Sequence, residues 1–269
     1  MERSRRLERL VILAKQLTNT PSHLFSLGEF ADAFGCAKST LSEDMAMIRD
    51  ILEKQGLGTL ETVAGAAGGV RYLPCRPEPF VHASLLRMAE LFSRPDRIIP
   101  GGFLYMSDVL FSPEWMVEAG EFFYQRFAHL LPNYILTIET KGIPLALMTA
   151  RAFNIPLVIA RQGSKVTEGS AVSINYLTGS AKRIQTMSVS RRALPAGARV
   201  LVIDDFMKAG GTARGLVDLA EEVGAVVVGT GVLIATNQPE KKLVEDYMTL
   251  LVLHKIDETL KQIDIRPAR

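Results

Sequence analysis

The stretch VLVIDDFMKAGGT, Val200 to Thr212, runs from apolar residues through two adjacent carboxylates into a glycine-rich turn. Its first half reads as a buried strand ending on Asp204 and Asp205, its second half as the opening of a helix. At such an opening the amides of Ala209, Gly210, Gly211 and Thr212 lack helical partners, and with the helix dipole they favour an anion. The two glycines permit close approach, and the Thr212 hydroxyl adds a donor. Neighbouring carboxylates repel one another and repel phosphate, so something bearing hydroxyls, or a metal, must lie between.

A ribose 5-phosphate meets both demands. The acidic pair accepts hydrogen bonds from a vicinal diol while the turn holds the phosphate. Phe206 and Lys208 belong to the same stretch and join the expected ligand contacts, Lys208 adding positive charge. A second anion site is expected in ETKG, Glu139 to Gly142. There Thr140, Lys141 and Gly142 form an amide-lined turn with a lysine, a generic nest suited to pyrophosphate.

Around these turns the chain alternates. ILTIE, LVIAR, VLVIDD and VVVGTGVLI are β-rich apolar runs, and IPLALMTARAF and the segment after Thr212 are helical. This predicts an α/β domain with a mainly parallel sheet, whose ligands bind at the carboxyl ends of the strands. PCRPEP, Pro74 to Pro79, interrupts regular structure and reads as a linker. The expected domains are therefore 1–74 and 75–269.

The first domain reads as helices and a hairpin. Leu7, Leu10, Val11, Ala14 and Leu17 recur at helical spacing, with Arg3, Arg5, Arg6 and Arg9 at the amino end. Leu27, Phe30, Ala31 and Phe34 mark a second helix from Ser26, which Gly35 ends. Ser39 or Thr40 is expected to cap a third, whose buried stripe is Leu41, Met45, Ile48 and Leu52. The runs TLETVAG and GGVRYLP then form a hairpin, giving a helix-turn-helix with a wing. In such a module Ser39, Thr40, Ser42 and Arg49 face base edges, while Arg3, Arg5, Arg6, Lys38 and Arg71 meet phosphates. Charge does not separate DNA binding from protein interaction, because residues 1–74 hold nine basic and nine acidic side chains. Its distribution favours DNA, since residues 1–16 hold five basic and two acidic ones.

Composition bounds the rest. A chain of 269 residues, 48% hydrophobic with net charge +2, accommodates two modest cores and says little about partners. Two cysteines without CxxC spacing and four scattered histidines argue against a zinc site or disulfide framework, and fit a reducing cytoplasm. The amino terminus does not read as a signal peptide, and the longest apolar stretch is too short to span a bilayer.

VLVIDDFMKAGGT resembles the phosphoribosyl pyrophosphate (PRPP) signature of type I phosphoribosyltransferases, departing from it at Lys208 and Ala209. The whole chain resembles the purine operon repressors of Gram-positive bacteria, through TKGIPLA from Thr140, SKVTEGSAVSINYLTGSAKRIQTMSVSRRAL from Ser164 and GGFLYMSD from Gly101. The resemblance implies a winged helix fused to a phosphoribosyltransferase-like sensor without transferase activity. It further implies a homodimer that represses purine synthesis genes and leaves DNA when PRPP binds, with Mg2+ held through the ligand. Guanosine tetraphosphate alarmones are implied at the same pocket.

The segment 161–192 carries Arg161, Lys165, Lys182, Arg183, Arg191 and Arg192 against Glu168 alone. It reads either as a solvated hairpin or as a charged loop serving ligand or DNA, with Lys165 expected at the ligand. Tyr105 and Phe103 are candidates to cover a nucleotide, core packing being an equal alternative. No segment shaped to bind a nucleobase is evident. The leading expectation is a PRPP-responsive repressor, not an enzyme. An active purine phosphoribosyltransferase with an appended DNA-binding domain and a protein-interaction adaptor are the alternatives.

Overall fold

The computed structural model describes residues 2–65, 68–163, 169–177 and 184–268, with the side chains of residues 2–4 outside the description. The expected contacts of Lys165 and of the Arg3 side chain therefore lie outside the described residues, as do Lys182 and Arg183. The chain forms two compact units, Met1–Phe80 with Arg151–Asn154, and Val81–Ala150 with Ile155–Arg269.

The first unit holds α1 (Glu2–Asn19), α2 (Leu27–Phe34), α3 (Lys38–Lys54), β1 (Thr59–Val63) and β2 (Gly69–Leu73). The Ser26 side chain caps α2 by accepting from the Gly28 amide at 3.1 Å, and Gly35 ends it in the left-handed conformation at φ 57°. The expected cap of α3 is corrected: Ala37 is extended and starts the helix earlier without a side-chain bond, so Ser39 and Thr40 lie inside its first turn. Helix α1 is also rotated from expectation. Leu10, Leu13, Ala14 and Leu17 face the core at i, i+3, i+4 and i+7, whereas Leu7 and Val11 are 59% and 69% exposed. The wing forms as read, β1 antiparallel to β2 with Glu61 opposite Arg71.

Helix α4 (Glu78–Phe92) begins in the first unit and runs into the second, which continues with β3 (Ile98–Ile99), β4 (Phe103–Leu104), α5 (Ser107–Leu110) and α6 (Pro113–Phe127). It continues through β5 (Tyr134–Ile138), α7 (Ile143–Phe153), β6 (Leu157–Gln162), β7 (Ala171–Leu177) and β8 (Ile184–Ser190). It closes with β9 (Arg199–Met207), α8 (Gly211–Glu222), β10 (Val226–Thr236), β11 (Tyr247–Asp257) and β12 (Gln262–Pro267). The main sheet has the order β12-β11-β10-β9-β5-β6-β8-β7.

Its centre, β11-β10-β9-β5-β6, is parallel. The four runs read as strands from sequence are β5, β6, β9 and β10. Val200, Leu201, Val202 and Ile203 of β9 are wholly buried, as a strand covered on both faces requires. From β5 the chain steps out to β6 and then returns to β9 on the other side, which puts the switch in strand order between β5 and β9. A crevice opens at the carboxyl ends of strands at such a point.

Candidate functional site

The crevice follows from the register. Strands β5 and β9 pair only as far as Leu136 opposite Val202, while β9 continues beside β10 to Met207 opposite Ala235. Beyond Val202, β9 has lost its β5 neighbour, and here lie Asp204 and Asp205. The acidic pair therefore sits inside the strand and not at its end, contrary to the sequence reading.

Into this gap opens a cavity of about 970 Å³. Thr140, Lys141 and Gly142 after β5 line it, as do Asp204, Asp205, Phe206, Lys208, Ala209, Gly210, Gly211 and Thr212. All of these were named from sequence. Tyr105 does not line the cavity; its backbone is tied to Arg97, and Phe103, 63% exposed, takes the lining position.

No nucleobase-binding segment was located from sequence; apart from Phe103, named there as a possible nucleotide cover, the cavity has an apolar wall of Ile99, Leu104 and Met106 from the β3–β4 region, joined by Leu253 and Ile256 of β11. Buried Arg97 anchors that region, donating to Asp108 at 2.8 and 2.9 Å and to the Leu91 and Tyr105 carbonyls at 2.7 and 3.1 Å. The signal is scattered over two short strands and a distant one, so no local motif reports it. Tyr176 and Gln185 of the β7–β8 hairpin also line the cavity, the Tyr176 hydroxyl donating to Gln185 Oε1 at 2.9 Å.

The electrostatics answer how two carboxylates stand beside an anion site. Burial holds the Asp204 carboxyl well above the usual carboxylate range, reinforced by the charge of Asp205 and by hydrogen bonding between the two side chains. Burial raises Asp205 as well, opposed by its bond with Asp204 and by the charge of Lys141. Burial and the neighbouring carboxylate thus both disfavour charge on Asp204, while the charge of Lys141 favours it on Asp205. Gly142 presses on this group: a Cβ there would lie 2.9 Å from Asp204 Oδ1 and 2.5 Å from the buried Thr137 Oγ1, which has no hydrogen-bond partner. Left-handed Gly210, at φ 84°, turns the chain into α8, whose first-turn amides face no helical acceptor.

At the mouth, Arg161 donates to Glu139 Oε2 at 3.1 Å and the Gln162 amide to Oε1 at 2.7 Å. Arg191 and Arg192 are exposed. Among the described residues no group of three or more His, Cys, Asp or Glu could hold a metal.

The candidate nucleic-acid face lies on α3 and the wing. Ser39, Ser42 and Ala46 are exposed on the face opposite the apolar stripe, with Thr40 half-buried; Arg5 and Lys38 are exposed. Three expected contacts are already engaged within the unit. Arg6 Nε donates to Asp44 Oδ1 at 3.0 Å, Arg71 pairs with Glu61 across the wing, and Arg49 donates to Thr62 Oγ1 at 2.9 Å. Asp44 is a buried acid in the apolar stripe, held also by Arg9 Nε at 2.5 Å. The periodic reading passed over it because it falls between Leu41 and Met45.

Comparison with known proteins agrees with both units. Residues 5–74 match the N-terminal domain of bacterial purine repressors, and residues 108–263 match the phosphoribosyl transferase domain. The chain is 44% identical over 262 residues to the purine biosynthesis transcriptional repressor PurR of Bacillus subtilis, covering 97% of this chain and 92% of that protein. It is 36% identical over 262 residues to the purine biosynthesis transcriptional activator PurR of Lactococcus lactis, covering 97% of each. Among solved structures, adenine phosphoribosyltransferase from Rhodothermus marinus superimposes with a TM-score of 0.53 at 26% identity, covering 62% of this chain and 97% of that one.

Proposed function

The chain belongs to the family of PurR regulators of purine biosynthesis, and from that premise we propose that its phosphoribosyltransferase-like domain is a PRPP sensor that releases its winged helix from operator DNA. It is a DNA-binding transcriptional regulator of purine biosynthesis genes. We read it as a repressor, the sense carried by its 44% relative, although the 36% relatives are named activators.

One observation carries the sensor reading: a single cavity brings together the amide-rich turn 208–212, the acidic pair and the lysine turn 140–142. The turn 208–212 suits the 5-phosphate, Asp204 and Asp205 suit the ribose diol, and Lys141 with its neighbouring amides suits pyrophosphate. Asp204 and Asp205 would face any Mg2+ that the ligand carries, whose charge would offset that of the phosphates. The apolar wall around Phe103 makes a nucleotide such as guanosine tetraphosphate a second candidate for the same cavity. We assign residues 1–74 to DNA binding and 75–269 to effector binding, in a cytoplasmic homodimer.

We read the domain as a sensor and not a transferase because the relatives that match it end to end are named transcription regulators. Operator binding measured with and without PRPP and magnesium tests the proposal, with release expected on addition. Nucleotide formation from PRPP and adenine, guanine, hypoxanthine or xanthine would instead favour the enzyme.

A further inference from the structure

Lys242 is buried on the segment after β10, and its Nζ donates to three oxygens: the Lys208 carbonyl at 2.5 Å, the Thr236 carbonyl at 2.7 Å and the Thr236 hydroxyl at 3.2 Å. None is a carboxylate. Burying an ammonium among neutral acceptors carries a desolvation penalty that an apolar side chain in its place would avoid. Here burial lowers its pKa. The next residue repeats the contact, the Leu243 amide donating to the Ala209 carbonyl at 2.9 Å. The fit is close, since a Cβ on Gly210 would lie 3.2 Å from the Leu243 nitrogen.

Two consecutive carbonyls of the turn, those of Lys208 and Ala209, are thus engaged from the 236–243 segment. Their engagement matters for an anion site. A peptide carbonyl directed at phosphate repels it, whereas a peptide whose carbonyl is bound elsewhere leaves its N–H for the anion. The ammonium also lies behind the turn, where its charge acts through a low-dielectric interior.

We propose that Lys242 is a positioning residue for the phosphate of the effector. It holds back the Lys208 carbonyl, and through its neighbour Leu243 that of Ala209, so that the amides opening α8 converge, and it places a positive charge behind the turn. This rests on the reading that the turn 208–212 takes the 5-phosphate of PRPP. The Thr140–Gly142 turn lies on a different loop and does not depend on Lys242.

Titrating full-length protein separately with ribose 5-phosphate and with pyrophosphate tests the assignment. Lys242→Met should weaken ribose 5-phosphate by about 10- to 100-fold while pyrophosphate changes by less than about twofold. Lys242→Arg should recover most of the loss, which a purely space-filling role would not allow. Wild-type ribose 5-phosphate affinity in Lys242→Met overturns the proposal, and so does an equal loss of both ligands. If Lys242→Met lacks a cooperative melt, Thr236→Val decides: a loss confined to ribose 5-phosphate supports the assignment, and unchanged affinity refutes it. Wild-type protein that binds neither ligand would sink the effector reading itself, a failure visible before any variant is made.

Discussion

Gly142 and the Asp204 carboxylate meet without room for one further carbon, since a Cβ on Gly142 would lie 2.9 Å from Asp204 Oδ1. The glycine is thus required by the acidic pair as well as by the anion turn it belongs to. Gly142→Ala must displace either the carboxylate or the loop, at a cost typical of overpacking, about 1–3 kcal/mol. PRPP affinity should fall by about tenfold or more. Calorimetric titration of a variant shown by circular dichroism to be folded checks this, and unchanged affinity would show that the loop yields freely.

The raised pKa values of Asp204 and Asp205 make the acidic pair a stability liability at neutral pH. Both are raised first by burial. An acid whose folded pKa lies above its unfolded value, about 4, binds more protons folded than unfolded between the two. Its favourable contribution is complete below the unfolded value and is lost as pH rises through the folded one. Asp204→Asn should therefore stabilise ligand-free protein at neutral pH by about 1 kcal/mol. Melting temperatures from pH 4 to 8 should show that gain shrinking towards the acid end. A gain that instead grew towards pH 4 would place the buried proton elsewhere.

Asp44 joins α3 to α1 through Arg6 and Arg9, and of the three only Arg6 is substantially exposed, at 42% of its side chain. Removing the acid leaves Arg9 nearly buried and without its carboxylate. Asp44→Ala should destabilise the winged helix by about 3–5 kcal/mol, read as a lowered urea midpoint. Asp44→Asn, which retains hydrogen-bond acceptors, should lose less. A neutral Asp44→Ala would remove the anchoring role.

These residues mark what sequence discloses and what it does not. Four strands, the wing and the two glycine-bearing turns that line the cavity were legible because periodicity and turn chemistry act locally, as at Ser26, Gly35 and Gly210. The rotation of α1 was not, because Leu7 and Leu13 are equally apolar and only packing decides which turns inward. The Phe103 wall and the Lys242 brace join residues more than a hundred positions or one whole crossover away from the motif they serve. Arg6 and Arg71 were read as free cations because nothing in their own stretch discloses the buried Asp44 or the cross-strand Glu61.

Those ion pairs divide the expected DNA contacts into two classes. Arg5 and Lys38 are exposed, so replacing either with alanine should weaken all DNA sequences alike and flatten the log-log salt dependence by about 0.9. Arg71→Ala should change the salt slope less, because its guanidinium already pairs with Glu61. Arg49, tied to Thr62, couples α3 to the wing, and its loss should alter sequence preference. Binding titrations over salt on operator and random DNA check the division. Equal slopes for Arg5, Lys38 and Arg71 variants would contradict it.

A regulator must bind its effector with different affinity in its DNA-bound and free states, since a ligand with equal affinity for both shifts nothing. Asp205 is the less buried of the acidic pair and the one whose charged form Lys141 favours, so it is the stronger acceptor for ribose hydroxyls. Asp205→Ala should remove charge-assisted hydrogen bonds worth about 1.5–3 kcal/mol each, on the order of tenfold to a hundredfold in PRPP affinity. The winged helix has its own core of Leu13, Leu17, Leu41, Ile48 and Val70, none of which involves β9. Operator binding should therefore persist while release by PRPP is lost, giving a constitutive repressor. Gel-shift titration of PRPP against the operator complex measures both properties together. A folded Asp205→Ala protein that binds operator and still releases it at the wild-type PRPP concentration would show that the acidic pair is not the sensing element.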